Sequence, residues 1–411
     1  MTRMRADGTA ASASRRSLAD VVKDMVPLFA GQSAANEAKG SLTDETIEAL
    51  WSGGFFGMWI PRDFGGIEAG PCEALGTVEQ LCYADGSTGW VFMAAQVAMG
   101  SAAAYLPADA AKELFGKHTP LGAWPVIAGQ GAANGQGIVA DEGFRLSGKW
   151  SYASGLLHST WIHTGATVIE NGAPRMLPGG KLPEVRIFIL PVTDAKLRGN
   201  WNVMGLRATG SVDYTIDNVH VPLAYTHLQN ANTPVHGGAL FYLAIFGISA
   251  IGHTGFALGT GRRVLDELHA IAMAENGRPQ TLPVRGGGES FLEQYGVAEA
   301  KYRAIRALAY ECWDDIERTL DRGDRPTTRQ LTLARLALNY ATTAVAEICV
   351  FAYRFGGGMA LRDSALQRCF RDMNAGTQHA SVSPNILRLC AGELLGLSEG
   401  KVWTGRALID P

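Results

Sequence analysis

Histidine moves a proton near neutral pH because its ordinary pKa is about 6.5, and this chain carries nine histidines. One stands in a polar run, Gly376-Thr377-Gln378-His379-Ala380-Ser381. Two others, His158 and His163, follow the stretch Trp150–Gly155 (WSYASG), in which Ser154 offers a hydroxyl. Neither is paired with a cysteine or an acid at ligand spacing, so no metal centre is expected. Gly356, Gly357 and Gly358 let a backbone approach a phosphate or adenosine group, and they serve equally well to end a helix. Each of these residues also has a purely structural explanation. His379 precedes a helix cap at Ser383, Ser154 is a strand-end hydroxyl, and Trp150 and Tyr152 are aromatics of the kind that fill strand cores.

Three blocks of pattern must position these side chains. Residues 17–120 read as helical. Ser17 caps an amphipathic run from Leu18 to Phe29, and Thr43 caps a second helix with Asp44 and Glu45 in its first turn. Glycines and a proline break the period from Gly53 to Gly66, and helix resumes over Cys72–Tyr83 and Gly89–Tyr105. Residues 121–230 alternate in short runs around Phe144–Leu146, Trp161–Val168, Arg186–Leu190 and Tyr214–Ile216. Turns are expected at Asn134-Gly135 and Gly179-Gly180, which together predict an antiparallel barrel or sandwich. From 231 to 411 the helical period returns, over Phe241–Met273, Gln294–Arg322 and Thr327–Phe355, with a last helix from Ser383-Pro384. GGG at 286–288 reads as a loop.

The chain has 411 residues, 47% hydrophobic and 18% charged, with a formal net charge of -3. That is the composition of a soluble multidomain protein, with no basic excess to suggest nucleic acid. The longest apolar stretches, such as Ala239–Ile251, carry glycines and fall short of a membrane span. Six cysteines without CxxC spacing read as buried apolar residues in a reducing cytoplasm. Residues 1–16, rich in Ala and Ser and basic, read as a solvated tail; they lack the apolar core of a secretory signal.

Several segments, in order, resemble the acyl-CoA dehydrogenase superfamily. They are Phe55–Gly66, Gly148–Gly155, Trp201–Ser211 (WNVMGLRATGS) with Val219–Pro222, and Phe355–Gly358 with Arg371-Asp372 and Ala375–Thr377. The resemblance implies an N-terminal helical domain, a central β domain and a C-terminal four-helix bundle assembled as a homotetramer. Its dehydrogenases need a carboxylate base, yet the usual base position is Ala375. The alternative position falls near Ile245, with no acid between Phe241 and Thr260. Asp85–Trp90 (DGSTGW), WSYASG and His379 instead resemble the two-component flavin monooxygenases of this fold, which include para-hydroxyphenylacetate and steroid-phenol hydroxylases and dibenzothiophene monooxygenase.

That branch implies a reduced flavin supplied by a separate NAD(P)H-dependent flavin reductase, and the glycine run Gly356–Gly358 favours FADH2 over FMNH2. With O2 as co-substrate it gives a C4a-(hydro)peroxyflavin that oxygenates an aromatic or heteroaromatic small molecule. By the same resemblance His379 is the acid–base residue, Ser154 approaches flavin N5 and Trp124 contacts the cofactor, while the backbone freedom of Gly356–Gly358 makes them the expected phosphate or adenosine contact. His158 and Trp90 line the substrate pocket. A further histidine that some relatives carry about nine residues beyond Gly-Trp is replaced here by the stretch Gln96–Met99. Two other readings stay open: a dehydrogenase with a different base, and a non-catalytic subunit of the same fold.

Overall fold

The computed structural model describes residues 15–116, 124–274 and 288–410, so most of the expected tail and of the 286–288 loop lies outside the described residues. Arg15 and Arg16, at the tail's end, are pinned by ion pairs to Glu73 and Asp24. Helix α1 (Leu18–Lys39) is capped by the Ser17 hydroxyl, runs on through Pro27, and stops at Gly40 in the left-handed region. Thr43 caps α2 (Asp44–Ser52). Then come α3 (Pro71–Ala84), α4 (Gly86–Tyr105), capped by the Asp85 carboxylate, and α5 (Ala108–Phe115).

The central strands are β1 (Ile127–Ala140), β2 (Gly143–Ala153), β3 (Trp161–Glu170), β4 (Ala173–Pro174), β5 (Val185–Pro191), β6 (Lys196–Arg198), β7 (Val212–Pro222) and β8 (Thr226–Leu228). They form one sheet in the order β6-β7-β2-β1-β3-β5-β8, with β4 paired to β3. Only the β1–β3 pairing is parallel. The turn expected at Asn134-Gly135 is not there. Both residues lie inside β1, beside register shifts in its pairing with β3, and the chain reverses after Ala140 instead. Gly135 is needed for space: a Cβ there would sit 2.3 Å from the Trp150 ring. Gly179 and Gly180, with φ of 90° and 69°, do form a turn.

The C-terminal block holds α6 (Ala244–Met273), α7 (Glu289–Asp321), α8 (Thr328–Gly356), α9 (Ala365–Gly376) and α10 (Pro384–Leu394). Thr327 and Gln330 make a reciprocal capping box at α8, and Ser383 caps α10. A short hairpin absent from the sequence expectation closes the chain, β9 (Val402–Thr404) with β10 (Ala407–Ile409). The apolar segments containing α6 and α8 are long enough to cross a bilayer by composition. More than half of each apolar window is buried in the protein, α6 against α3, α4, α8 and α9. The N- and C-terminal helices share a single hydrophobic core, and the sheet has its own, built around Phe144, Trp150, Phe188 and Tyr214.

Candidate active site

The site forms where α4, the end of β2, the loop before β7, α6 and the turn after α9 meet. Trp90, four residues into α4, is its hub. The indole Nε1–H donates to Ser154 Oγ at 3.1 Å. Ser154 Oγ lies 2.7 Å from Ser211 Oγ, which lies 2.7 Å from Thr209 Oγ1, and Thr209 donates to the Leu206 carbonyl at 2.8 Å. One proton order satisfies the whole chain: Ser154 donates to Ser211, Ser211 to Thr209, and Thr209 to Leu206. Reversing the two shared bonds, at the cost of the Thr209 bond to the Leu206 carbonyl, frees the Ser154 proton for a ligand while Trp90 still donates to the same oxygen.

Local backbone explains why Ser154 faces inward. The β2–β7 pairing slips between Trp150 and Ala153, Tyr152 takes φ 65°, and Gly155 takes φ 80°. This irregularity turns Tyr152 outward, 69% exposed, and buries Ser154. The other end of the hydroxyl chain is fixed by Leu206, itself left-handed at φ 54°. Its N–H donates to Asp372 Oδ1 at 2.6 Å, and its carbonyl also accepts from Trp201 Nε1. Burial and the nearby Asp85 push the Asp372 carboxyl up to about 7.

On its other side Trp90 packs edge-on against His253, Phe256 and His379, with ring centroids 4.9, 4.9 and 5.9 Å away. The two imidazoles lie 3.8 Å apart, tilted by 32°. Burial holds His379 down to about 4, and the Arg406 charge adds to this; burial, His379 and Arg406 also hold His253 well below the ordinary histidine value. Both rings are therefore neutral at physiological pH. His379 Nδ1 accepts the Ser381 N–H at 3.3 Å, which assigns its proton to Nε2 and makes that atom a donor. His253 is the second imidazole of the site. It lies in the stretch 241–260, which holds no acid and no motif that marks the histidine.

The other expected residues fall in several places. Trp124 is buried in the helical core, against the position a Gly57 side chain would take. Trp150 is fully buried, stacked on Tyr214 at 5.3 Å and bonded to the Gly165 carbonyl, so it is a core residue. His158 has a different job from the pocket contact expected. Its Nε2 accepts the Leu42 N–H at 3.1 Å, tying the β2–β3 connection to the α1–α2 loop. Gln96, in the stretch that replaces the relatives' extra histidine, binds the Trp59 N–H and the Phe56 carbonyl and holds the 53–66 loop. Gly356–Gly358 end α8, with Gly357 at φ 52° and open space where a Gly358 side chain would go. No described contact brings them to Ser154 or His379. A cleft of about 660 Å³ opens between α8 and α10, lined by Arg354, Phe355, Thr377 and Gln378; His379 is not among its lining residues.

These residues fit a flavin. A reversible hydroxyl suits a ring nitrogen that is protonated in one redox state and not in the other. Trp90 supplies an aromatic wall, and two neutral imidazoles stand ready beside it. No Asp or Glu belongs to the cluster, and α9's Asp372 is committed to Leu206.

Comparison with known proteins agrees with this reading. Residues 11–115 match the family model "Acyl-CoA dehydrogenase, N-terminal domain", and 251–384 match "Acyl-CoA dehydrogenase, C-terminal domain". The chain is 30% identical over 353 residues to an indole-3-acetate monooxygenase of Pseudomonas putida, covering 82% of this chain and 83% of that one. It is 25% identical over 402 residues to the oxygenase component of an FADH(2)-dependent resorcinol hydroxylase of a Rhizobium strain, covering 92% and 93%. The crystal structure of the HsaA monooxygenase from M. tuberculosis superposes with a TM-score of 0.82 at 23% identity, over 95% of this chain and 98% of that one. That last likeness speaks to the fold.

Proposed function

Because the chain belongs to the flavin-dependent monooxygenases of the acyl-CoA dehydrogenase fold, we infer that it is the oxygenase component of a two-component system acting on an aromatic or heteroaromatic small molecule. One observation carries the reading. The Ser154 hydroxyl chain and the His253–His379 pair meet across Trp90, in a site built without the carboxylate base that a thioester dehydrogenase requires.

When bound, reduced flavin supplies the two electrons by which one atom of O2 enters the substrate and the other leaves as water. Ser154, its oxygen fixed by the Trp90 N–H, would hold the flavin edge by a hydrogen bond. His379 donates from Nε2 to an oxygen on the substrate side, and His253 accepts a proton released by the substrate. Phe256 and Trp90 exclude water around them. Incubation with chemically reduced flavin, ¹⁸O2 and an aromatic substrate tests this. One labelled oxygen per product molecule is expected. Anaerobic flavin bleaching by an acyl thioester, with no labelled product, would establish the dehydrogenase instead.

The finer assignments belong to the same proposal. FAD is favoured over FMN by the open backbone at Gly358, and a separate NAD(P)H-dependent reductase supplies it. Exposed Leu292, Val297 and Tyr340 on α7 and α8 favour a homotetramer, which sedimentation tests. A cytoplasmic location accords with six unpaired cysteines.

A further inference from the structure

The C-terminal hairpin carries a cation whose purpose the site above does not explain. Arg406 sits between β9 and β10 with its guanidinium 5.3 Å from the centroid of the Phe246 ring. Phe246 lies on the same face of α6 as Ala250 and His253, at i, i+4 and i+7. Two helical turns, a rise of about 10 Å, therefore separate the ring beneath Arg406 from the paired imidazoles. The guanidinium is near enough for its charge to depress both His253 and His379. Arg406 keeps solvent-accessible surface although the protein crowding its guanidinium lowers its pKa, and among the described residues no carboxylate pairs with it.

The hairpin is held firmly. The neighbouring Arg335 donates to the Gly405 carbonyl at 3.2 Å and to the Leu331 carbonyl at 3.1 Å, and it stacks on Trp403 at 4.3 Å. Arg335 thus fixes the Gly405 turn through backbone carbonyls, and among the described residues no hydrogen bond or ion pair takes up the planar fork of Arg406. Arginine in such a position suits a carboxylate, which it can grip with two parallel hydrogen bonds.

We propose that Arg406 anchors an anionic substituent of the substrate, so that this enzyme takes an aromatic acid whose ring lies against the His253–His379 pair and whose carboxylate reaches the C-terminal hairpin. The proposal rests on the monooxygenase reading for the site's location. It goes further by giving the substrate a charge and a direction.

Calorimetry on flavin-free protein, with indole-3-acetate and its neutral amide indole-3-acetamide as probes, tests it directly. Wild-type protein should bind the acid at least about 30-fold more tightly than the amide, the scale of a charged pair that loses one partner. Arg406→Gln should remove most of that preference while moving amide affinity by less than about 3-fold, and Arg406→Lys should restore part of it. Equal affinity of wild type for both probes, or equal loss of both in Arg406→Gln, overturns the proposal. The ¹⁸O2 experiment reads the chemistry separately. Labelled product from a variant that has lost acid selectivity would support both ideas. Labelled product together with unchanged selectivity would refute Arg406 alone.

Discussion

The two walls of the site are built on opposite plans. On the sheet side, Trp90, Ser154, Ser211, Thr209 and Leu206 form an unbroken chain in which each donor has an acceptor. On the helical side, His253 and His379 are held by ring packing, and among the described residues the one polar contact to either ring is the long bond from Ser381. A satisfied chain fixes position; a pair of underused imidazoles is free to trade protons with whatever binds. The difference suggests that the sheet wall governs how the flavin is held and the helical wall governs what happens to the substrate. Substitutions on the two walls should therefore fail in different ways.

The largest effect is expected from His379→Ala. Product formation should fall about 100-fold or more, the usual scale of acid–base assistance, while reduced flavin is still consumed and hydrogen peroxide released. His379→Gln sharpens the assignment because its amide keeps a donor. Recovery of about ten-fold over the alanine variant fits donation from Nε2; no recovery would transfer proton acceptance to His379. The pH profile has a sign that can be checked. A neutral imidazole held down to about 4 keeps its form from pH 8 to pH 5 and protonates only below that. NMR titration of the flavin-free protein should show the His379 ring changing near pH 4, well below an ordinary histidine.

Ser154→Ala comes next and should break the sheet wall. Flavin still binds, but the buried Trp90 N–H loses its acceptor and the Ser211 hydroxyl loses its neighbour. One lost hydrogen bond of about 1–2 kcal/mol corresponds to roughly a ten-fold rise in hydrogen peroxide relative to product. If peroxide and product stay in wild-type proportion, the hydroxyl chain is only structural.

Much of this was legible in the sequence, and what was not has physical causes. Caps at Ser17, Thr43 and Ser383 marked helix starts because a side-chain oxygen satisfies a local backbone donor, and all three act so in the structure. Asn134-Gly135 misled because its turn chemistry is local while the demand on Gly135 is tertiary, set by the Trp150 ring. The hairpin at 402–409 is short, with only Thr404-Gly405 to signal it. Ser154, Trp90 and His379 were found through motif resemblance, and the structure brings all three together. Ser211 and Thr209 lay in a quoted segment, but nothing in that segment reveals a hydroxyl chain that crosses 57 residues to Ser154. His253 pairs with His379 from a different helix, a juxtaposition that no spacing rule encodes.

The smallest effect is expected at the strut between the two walls, and it concerns stability. Asp372 is buried on α9, faces Asp85 and accepts the Leu206 N–H, with Arg371 and Glu37 close by. Its carboxyl is raised to about 7 from an ordinary 3.8, chiefly by burial. A raised acid binds its proton more tightly in the folded state than in the unfolded one. Its favourable contribution is therefore complete below the unfolded value and is lost as pH rises through about 7. Asp372→Asn cannot ionise, yet its amide oxygen still accepts from Leu206, and its NH2 faces Asp85 as a donor. At pH 8 the variant should melt a few degrees higher than wild type, and the gain should shrink as pH falls toward 4. Peroxide-to-product ratio should change little, because the Leu206 end of the hydroxyl chain keeps its anchor. A variant that melts lower at pH 8 would show that the charge on Asp372 is itself needed to dock the 201–211 loop. The strut would then belong with the sheet wall as part of the machinery that positions Ser154.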